Sequence, residues 1–343
     1  MGVKRATIAD IAKAVGVSKG AVSYALNGRP GVSDATRQRI LAVAEEFGWH
    51  PSSAARALSD GRSGVLGLIV DRPARTLGIE SFFMQLISGI ESTLSDRSIG
   101  LLLQVTDDRA SELAAYRRWW AQRSVDGVIM VDLVRDDPRI PLLEELQMPA
   151  VVVGGPHGLG SLPGVWSDDR AAITTVVDYL AALGHRRIAR VGGLTHLWHT
   201  EVRREALAAA AERLKLNKVI TMTTDYTGEA GAQATRTLLA RRPAPTAIIY
   251  DNDVMAVAGI AVAHEMGIEV PRELSMVAWD DSPLCQLTHP QLSAVSRDIA
   301  AFGAHAAQRL LQVVAGEPVS SFEDATPVLV PRGSTAPPLT GRG

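Results

Sequence analysis

Residues 7–26, TIADIAKAVGVSKGAVSYAL, contain two short helical patterns separated by a turn of about three residues. Thr7, with Asp10 three residues later, forms a capping arrangement for the first helix. Gly16 can end that helix because glycine tolerates a left-handed backbone, and Ser18 can cap the next one. The apolar positions of the second helix share one side: Val22, Ala25 and Leu26. This arrangement is typical of a helix-turn-helix, a motif that binds DNA.

A third helix is predicted to begin after Ser33, with Thr36 completing its cap, and to continue to Phe47. It supplies the small core on which the first two helices rest. The polar side of the second helix then faces outward and can enter the major groove, where Lys19 and Tyr24 would select the sequence. A plain helical bundle with a solvated polar face is the alternative at this point.

The segment SSAARALSDG, residues 52–61, follows Pro51 and predicts a further helix of roughly eight residues. So short a helix is unstable alone in water, so DNA and a partner subunit can order it. Leu58 would then act as an apolar wedge between base steps in the minor groove. The alternative is a plain linker whose leucine packs on the next domain.

Charge is distributed unevenly along the chain. Residues 1–62 contain nine Lys or Arg against five Asp or Glu, a net charge of +4. The whole chain carries −2, which leaves −6 for the remainder. A basic head on an acidic body lets only the head approach the phosphates of a nucleic acid.

The N-terminal motifs resemble those of the lactose repressor and galactose repressor (LacI/GalR) family of transcriptional regulators. The resemblance extends to residue 333 and rests at the N-terminus on Thr7 to Ala12, Gly16 to Ser18, Val22-Ser23, Leu26-Asn27, Val32-Ser33, Thr36-Arg37 and Pro51 to Leu58. It implies that six residues anchor the head on DNA: Thr7, Ser18, Ser23, Asn27, Ser33 and Thr36. It implies sequence recognition by Lys19, Gly20 and Tyr24, and minor-groove contacts by Ala55 and Leu58.

From Gly64 onward, strand-sized apolar runs alternate with amphipathic helical stretches. The runs are Val65 to Val70, Gly100 to Val105, Val128 to Val131, Ala150 to Val153, Ile188 to Val191, Val219 to Met222, Ala247 to Tyr250 and Met276 to Trp279. The alternation predicts parallel sheets covered by helices on both faces. Gly and Pro accumulate near Pro156 to Trp166, which indicates a crossing between two lobes.

The family resemblance implies that these lobes are of the periplasmic-binding-protein type (type I), joined by several crossovers, with a ligand between them. The predicted fold is therefore an α-helical head and hinge helix followed by a two-lobed α/β sensor. The expected domains are the head at 1–50, a hinge at 51–62, an effector-binding and dimerisation domain at 63–333, and a flexible tail at 334–343. The resemblance also implies a homodimer that reads a palindromic operator, with one head on each half-site.

Residues that directly follow strands are candidates for the ligand site, because ligands bind at the carboxyl ends of strands in open α/β sheets. Three pairs qualify: Asp71 and Arg72, Asn252 and Asp253, and Asp280 and Asp281. Carboxylates, amides and arginines can hydrogen-bond the vicinal hydroxyls of a sugar, and aromatic rings can stack on its C–H surfaces. The available rings are Phe82, Phe83, Trp166, Trp198, Tyr226 and Trp279.

By resemblance, Arg203 corresponds to the effector-site arginine of the family, and Asn252 and Asp280 to its two strand-end ligands. Arg297 lies where other members have glutamine or arginine, and Phe82, Phe83 and Tyr226 fall on pocket-wall positions. Together with Asp71 and Trp198, these residues form the predicted effector site. Asp253, Asp281 and Asp168 are interpreted as helix caps and turn ligands.

Several functional classes are disfavoured. No apolar run approaches the roughly twenty residues that cross a bilayer, and no secretory signal is recognisable, so a cytoplasmic protein with no membrane partner is expected. The single cysteine, Cys285, predicts neither a disulfide nor a zinc site. Phosphate-loop, dinucleotide-binding and serine-hydrolase motifs and metal-spaced histidines are missing from the sequence, so no enzyme, metal or cofactor is predicted.

The predicted function is an allosteric transcriptional regulator, most simply a repressor. Its operator affinity would depend on a small molecule, expected to be a mono- or oligosaccharide. A regulator that senses a nucleobase or nucleoside is the alternative within this class. A solute-binding protein without a regulatory role is the alternative from a different class.

Overall fold

The computed structural model describes residues 6–49, 61–72, 77–217 and 219–339. The chain divides into two compact units, Met1–Ser63 and Gly64–Gly343. The predicted DNA contacts Ala55 and Leu58 lie outside the described residues. No helix in the described ranges is long and apolar enough to span a membrane.

The N-terminal unit is built from three helices: α1 (Ile8–Val15), α2 (Lys19–Leu26) and α3 (Asp34–Glu46). Thr7 and Asp10 form a reciprocal capping box at the start of α1, and Gly16 ends it with φ of 78°. Ser18 and Ser33 accept backbone N–H bonds at the starts of α2 and α3. The helices enclose a core of Ile11, Ala12, Val15, Val22, Ala25, Ile40 and Ala44. The predicted helix-turn-helix is confirmed.

The first lobe of the larger unit is a six-stranded sheet with the order β11-β5-β4-β3-β1-β2. Its strands are β1 (Val65–Asp71), β2 (Gly100–Thr106), β3 (Gly127–Met130), β4 (Ala150–Val153), β5 (Gly164–Trp166) and β11 (Phe322–Glu323). All neighbouring pairs are parallel. One face packs against α4 (Ser81–Ser95) and α12 (Ile299–Val314), the other against α5 (Arg109–Ala121) and α6 (Arg139–Glu145).

The second lobe is a six-stranded sheet with the order β12-β10-β9-β8-β6-β7. Its strands are β6 (Ile188–Gly192), β7 (Ile220–Thr223), β8 (Ala247–Tyr250), β9 (Ser275–Trp279), β10 (Ser293–Ser296) and β12 (Val328–Val330). Only β12, paired with β10, is antiparallel among these described strands. The faces pack against α7 (Asp169–Ala182) and α8 (Trp198–Arg213), and against α9 (Gly228–Leu239), α10 (Asp253–Glu265) and α11 (Pro283–Leu287).

The chain crosses between the lobes three times within the described residues: from β5 to α7, from β10 to α12, and from β11 to β12. All eight predicted strands are present within one or two residues, and the first crossing follows directly on the predicted break near Trp166. Four short strands were not predicted: β5, β10, β11 and β12. They lie next to the crossovers between the lobes. At two to four residues each, they are too short for a hydrophobic periodicity to be recognised in the sequence.

The predicted flexible tail is wrong at its beginning, because Ser334 is fully buried against β9. The Ser334 hydroxyl donates to the Met276 carbonyl at 2.6 Å, and the Met276 N–H donates to the Ser334 carbonyl at 2.9 Å. His185 Nε2 lies 3.0 Å from the Ala336 carbonyl oxygen. Tertiary hydrogen bonds to the sheet therefore order residues that a polar, Pro-rich composition marked as mobile.

Candidate functional site

A cavity of about 390 Å³ lies between the two lobes, where the carboxyl ends of their strands meet. Small-molecule sites commonly enclose ~300–1,000 Å³, so the volume suits a compact ligand. Eight of the nine predicted effector residues line it: Phe82, Phe83, Trp198, Arg203, Tyr226, Asn252, Asp280 and Arg297. Trp166, one of the aromatic candidates, also lines it.

Asp71 is the exception, and its assignment to the cavity is wrong. Successive side chains of an extended chain point to opposite sides, so Arg72, which follows β1, lines the cavity and Asp71, the last residue of β1, does not. Asp71 instead lines a neighbouring groove, where its carboxylate lies 3.9 Å from Arg109 Nη2.

Arg72 is buried at the floor of the cavity on the side of the first lobe. Its Nη1 atom lies 3.1 Å from Asp132 Oδ2, and its Nε atom lies 3.9 Å from Glu80 Oε2. The guanidinium also lies 5.6 Å from the centre of the Tyr226 ring, which belongs to the second lobe. Asp132 lies two residues after the end of β3, where the strand-end rule applies, yet it was not among the predicted residues.

Arg203 on α8 is held rigidly by two contacts. Its Nε and Nη2 atoms each lie 2.9 Å from Asp169 Oδ2 at the start of α7, and its Cζ lies 3.9 Å above the Trp279 ring. Trp279 is fully buried beneath it. The predicted effector arginine is thus clamped between a carboxylate and an indole, with its orientation fixed before any ligand arrives.

Asp280 and Arg297 form a pair that belongs to a crossover. Arg297 follows β10 at the crossing to the first lobe, and its Nε donates to Asp280 Oδ1 at 3.2 Å. The Arg297 guanidinium lies 5.1 Å from the Phe82 ring centre, so it contacts both lobes. Asp280 has φ of 62°, a left-handed backbone that turns its side chain back toward the cavity.

Tyr226 is positioned by several neighbours, among which His199 was not predicted as a site residue. The phenol oxygen lies 2.8 Å from His199 Nε2 and 2.8 Å from Thr200 Oγ1. Asn252 Nδ2 donates to the Tyr226 carbonyl at 3.0 Å, while Asn252 Oδ1 caps α10 by accepting from the Met255 N–H at 2.9 Å. Asn252 therefore lines the cavity with much of its hydrogen-bonding capacity already used.

Burial and charge shift two pKa values in this cavity. Burial raises the pKa of Glu80, Arg72 opposes this and Asp132, Asp280 and Asp253 add to it, and together they bring the pKa to about 8. Burial also lowers the pKa of His199 well below its usual range. Four positively charged neighbours lower this pKa too: Arg203, Arg72, Arg297 and Arg190. At neutral pH both Glu80 and His199 are therefore uncharged.

The two lobes touch at the edges of the cavity. Ser81 Oγ on the first lobe donates to Asp253 Oδ2 on the second at 3.1 Å, so Asp253 is more than the helix-start residue expected from the sequence. The backbone N–H of Trp198 donates to the Leu133 carbonyl at 2.8 Å, beside an antiparallel bridge between Val134 and Leu197. Asp168 caps α7, as expected, and also lines the cavity. Asp281 is not a cap: it pairs with Arg332 at 2.6 Å, and Ser282 caps α11.

In the N-terminal unit, the predicted DNA contacts lie on the polar side of α2 and at helix starts. Ser18, Lys19, Gly20, Asn27 and Ser33 are exposed, as is Thr7, while Ser23 and Thr36 are half-buried. Tyr24 is 46% exposed, and its ring lies against Gly31, where an added Cβ would come within 3.3 Å of it. Gly31 has φ of 115°, so both its backbone and its missing side chain favour this position of the Tyr24 ring.

Among the described residues, no group of three or more His, Cys, Asp or Glu could hold a metal ion. Cys285 is buried, and burial raises the pKa of its thiol to about 12.

A helix-turn-helix head joined in one chain to a two-lobed domain with a cavity is typical of ligand-binding transcriptional regulators. The family model "Bacterial regulatory proteins, lacI family" matches residues 7–52, and the model "Periplasmic binding protein-like domain" matches residues 177–335. The transcriptional regulator MalR of Streptomyces coelicolor is 31% identical over 98% of both chains. This chain belongs to the LacI family of bacterial transcriptional regulators, which are DNA-binding proteins and not enzymes.

Two solved structures extend the comparison. The regulator CelR in complex with cellobiose is 27% identical, with a TM-score of 0.73 over 96% of this chain and 100% of the other. The lac repressor dimer bound to operator and the anti-inducer ONPF is 24% identical, with a TM-score of 0.86 over 97% of this chain and 100% of the other. The similarity to the lac repressor supports the fold assignment.

Proposed function

We propose that this regulator is a repressor whose affinity for a palindromic operator is controlled by a sugar bound in the interlobe cavity. The observation that carries the proposal is the combination of acidic and basic side chains, Asp280 after β9 and Arg203 on α8 among them, with aromatic walls at Trp166 and Tyr226. Carboxylates and guanidinium groups suit vicinal hydroxyls, and aromatic rings suit the C–H faces of a sugar. The cellobiose complex of CelR supports the same ligand class.

We propose that ligand binding changes the angle between the two lobes and that this change alters the affinity for the operator. A ligand that contacts Arg72 on one lobe and Arg203 on the other changes the balance of interlobe contacts such as Ser81 with Asp253. A ligand shifts an equilibrium only by its difference in affinity for the two states, and the effect on DNA binding must be reciprocal. We further propose that residues 51–62 form the hinge that transmits the change, and that the protein acts in the cytoplasm, where its DNA is.

On the DNA, Lys19, Gly20 and Tyr24 are proposed to meet base edges in the major groove, while the hydroxyls of Thr7, Ser18 and Ser33 hold phosphates. Tyr24→Ala should lower the preference for the operator over random duplex by a factor of about ten or more. Glu46→Gln, at the far end of α3, is the control and should leave that preference unchanged. Competition gel-shift titrations at fixed salt measure both variants, and an unaltered preference in Tyr24→Ala contradicts the assignment.

The effector site is tested with the full-length protein and a panel of sugars and nucleobases in a thermal-shift screen, with and without operator DNA. We expect a sugar to stabilise the protein and to change its operator affinity. Arg203→Ala and Asp280→Ala should abolish that response and keep operator binding. A normal response in both variants, or stabilisation by a nucleobase and by no sugar, contradicts the proposal.

Leu58 is proposed as the minor-groove wedge of the hinge. Leu58→Ala should weaken operator binding by a factor of about ten or more and leave sugar binding intact. Unchanged DNA affinity in this variant contradicts the wedge.

A further inference from the structure

The charged residues around the cavity are unequal in number. Nine acidic side chains line it, of which Glu80 is uncharged at neutral pH: Glu80, Asp132, Asp168, Asp169, Glu201, Glu205, Asp251, Asp253 and Asp280. Five arginines line it: Arg72, Arg135, Arg170, Arg203 and Arg297. The balance matters because a cavity with low-dielectric walls concentrates the field of whichever charge is in excess.

Each of the three interior arginines already has a carboxylate partner. Arg72 pairs with Asp132 at 3.1 Å, Arg203 with Asp169 at 2.9 Å, and Arg297 with Asp280 at 3.2 Å. All six side chains are at most 14% exposed, so these pairs are poorly screened by water.

The remaining cations near the cavity are also unsuited to receive an anion. Arg190 lies fully buried against Asp251, with two hydrogen bonds of 2.7 and 2.5 Å. Arg170 is half exposed at the rim and pairs with Glu205 at 3.2 Å. Arg135 is exposed and lies over the Trp198 ring, and His199 is uncharged at neutral pH. Within the described lining, therefore, no interior guanidinium lacks a carboxylate.

Some carboxyl oxygens around the cavity, in contrast, can accept hydrogen bonds beyond those they already have. Oδ1 of Asp169 is buried and accepts no hydrogen bond within the described part of the chain. Glu80 and Asp253 have no arginine of their own, since Glu80 shares Arg72 and Asp253 accepts from Ser81. Buried acceptors without donors are costly, and the hydroxyl groups of a ligand are donors that would satisfy them.

We propose that the cavity selects an uncharged sugar and excludes its acidic derivatives, the uronic acids and sugar phosphates. This inference rests on the proposed sugar effector and specifies its charge. Asp251 and Glu201 are paired with Arg190 and Arg204 outside the lining, but among the described residues Asp253 has no arginine partner. A carboxylate or phosphate entering the cavity therefore meets Asp253, and it can bind a guanidinium only by displacing an aspartate that stays nearby. A neutral polyol donates to the same carboxylates and leaves all three arginine pairs intact.

The test uses isothermal titration calorimetry on the full-length protein with matched ligands. Glucose, galactose, cellobiose and maltose are each compared with their 6-phosphates, and the two monosaccharides also with glucuronate and galacturonate. The sugar that binds should do so at least about tenfold more tightly than its acidic counterpart. An acidic member that binds as well as its neutral counterpart overturns this inference and leaves the sugar effector standing. Binding by none of them counts against the sugar effector itself and therefore against both.

A variant tests the stated cause of the selectivity. Asp132→Asn leaves Arg72 without its closest carboxylate, so the affinity ratio of neutral to acidic sugar should fall by about tenfold. Asp178→Asn is the matched control: it removes the same charge from an exposed pair with Arg213 outside the cavity, and the ratio should stay at the wild-type value. Asp169→Asn, which leaves Arg203 without its carboxylate, provides the same measurement if Asp132→Asn fails to fold. An unchanged ratio in the folded cavity variant overturns the proposal.

Discussion

Glu80 is a carboxyl group in an environment that favours its neutral form. It is 9% exposed, and the nearest cation, Arg72, is shared with Asp132. Burial raises its pKa and the surrounding aspartates add to the effect, which brings the pKa to about 8 although Arg72 opposes them. Between pH 4.5 and 8 the folded protein therefore holds a proton that the unfolded chain has released.

We expect Glu80 to lower stability as pH rises through this range. The proton bound in the folded state makes unfolding easier at higher pH, with a slope of at most ~1.4 kcal/mol per pH unit for one group. Glu80→Gln keeps the neutral form and should remove this contribution. Urea unfolding between pH 5 and 8.5 measures the difference, with the exposed Glu145→Gln as control. Parallel stability curves for wild type and Glu80→Gln would show that Glu80 is ionised in the fold.

Arg139 is the centre of a buried ionic network in the first lobe. Its side chain is 1% exposed and bonds Glu112 Oε1 at 2.8 Å and Asp137 Oδ2 at 2.7 Å. It also donates to the carbonyls of Val131 and Asp132, at 2.9 and 2.8 Å. The network thus holds the loop after β3, and that loop carries Asp132 into the cavity.

Arg139→Met should destabilise the protein by about 3–5 kcal/mol, because the buried Asp137 loses its cation and the buried Glu112 keeps only Arg109. The control is Arg213→Met, which breaks an exposed ion pair of 2.6 Å with Asp178 and should cost no more than ~1 kcal/mol. Denaturant unfolding of both variants gives the comparison. Equal small losses in the two would mean that the buried network contributes little beyond a surface pair.

Helices α4 and α12 approach each other at two glycines. A Cβ on Gly89 would fall on the carbonyl oxygen of Ala300, and a Cβ on Gly303 would fall on the carbonyl oxygen of Leu86. Because these obstacles are backbone atoms, they cannot move aside as side chains do. The contact packs α12 closely against α4 in the first lobe, and α12 is the helix that leads from Arg297.

Gly89→Ala should therefore cost at least about 1–3 kcal/mol through overpacking, despite the better helix propensity of alanine. Gly228→Ala, in α9, is the control: its nearest neighbours to an added Cβ are 3.5 Å away or more, so the change should be close to neutral. Thermal unfolding of the two variants separates packing from propensity. Stabilisation by Gly89→Ala would show that the helices can move apart freely.

On the scale of whole strands and helices, the sequence predicted those elements that have a recognisable hydrophobic pattern within their own residues. Runs such as Ile188 to Val191 are apolar throughout because a central parallel strand is buried on both faces. Strands β11 and β12, by contrast, are short edge strands, and their polar or half-exposed residues form no run. They exist because a neighbouring strand offers hydrogen bonds, which is information from distant parts of the chain.

For the whole molecule, large apolar side chains remain exposed on the described surface of both lobes. Met84 is 57% and Ile79 60% exposed on the first lobe, and Leu287 is 80% exposed on the second. We propose that such residues are covered in a homodimer. Leu287→Asp should weaken dimerisation by about tenfold or more, measured by sedimentation velocity. The exposed Glu265→Gln is the control, and a tetrameric mass for the wild type at low micromolar concentration contradicts the dimer.

The sequence by itself determined the helix-turn-helix head, the alternation of strands and helices, and most of the residues around the cavity. Caps such as Thr7 with Asp10 and apolar runs such as Val65 to Val70 act over a few residues, so they can be read along the chain. Even Arg203 and Asp280, which both line the cavity, occupy positions marked by family motifs or by strand ends.

Only the tertiary structure decided which charges neutralise one another and which residues close the cavity. The sequence could not show that Arg72 rather than Asp71 turns inward, that Asp253 bonds Ser81 of the other lobe, or that Ser334 is held by β9. These contacts join residues 58 to 172 positions apart. Pairing at such separations depends on how the two sheets are placed in space, and no local periodicity records that placement.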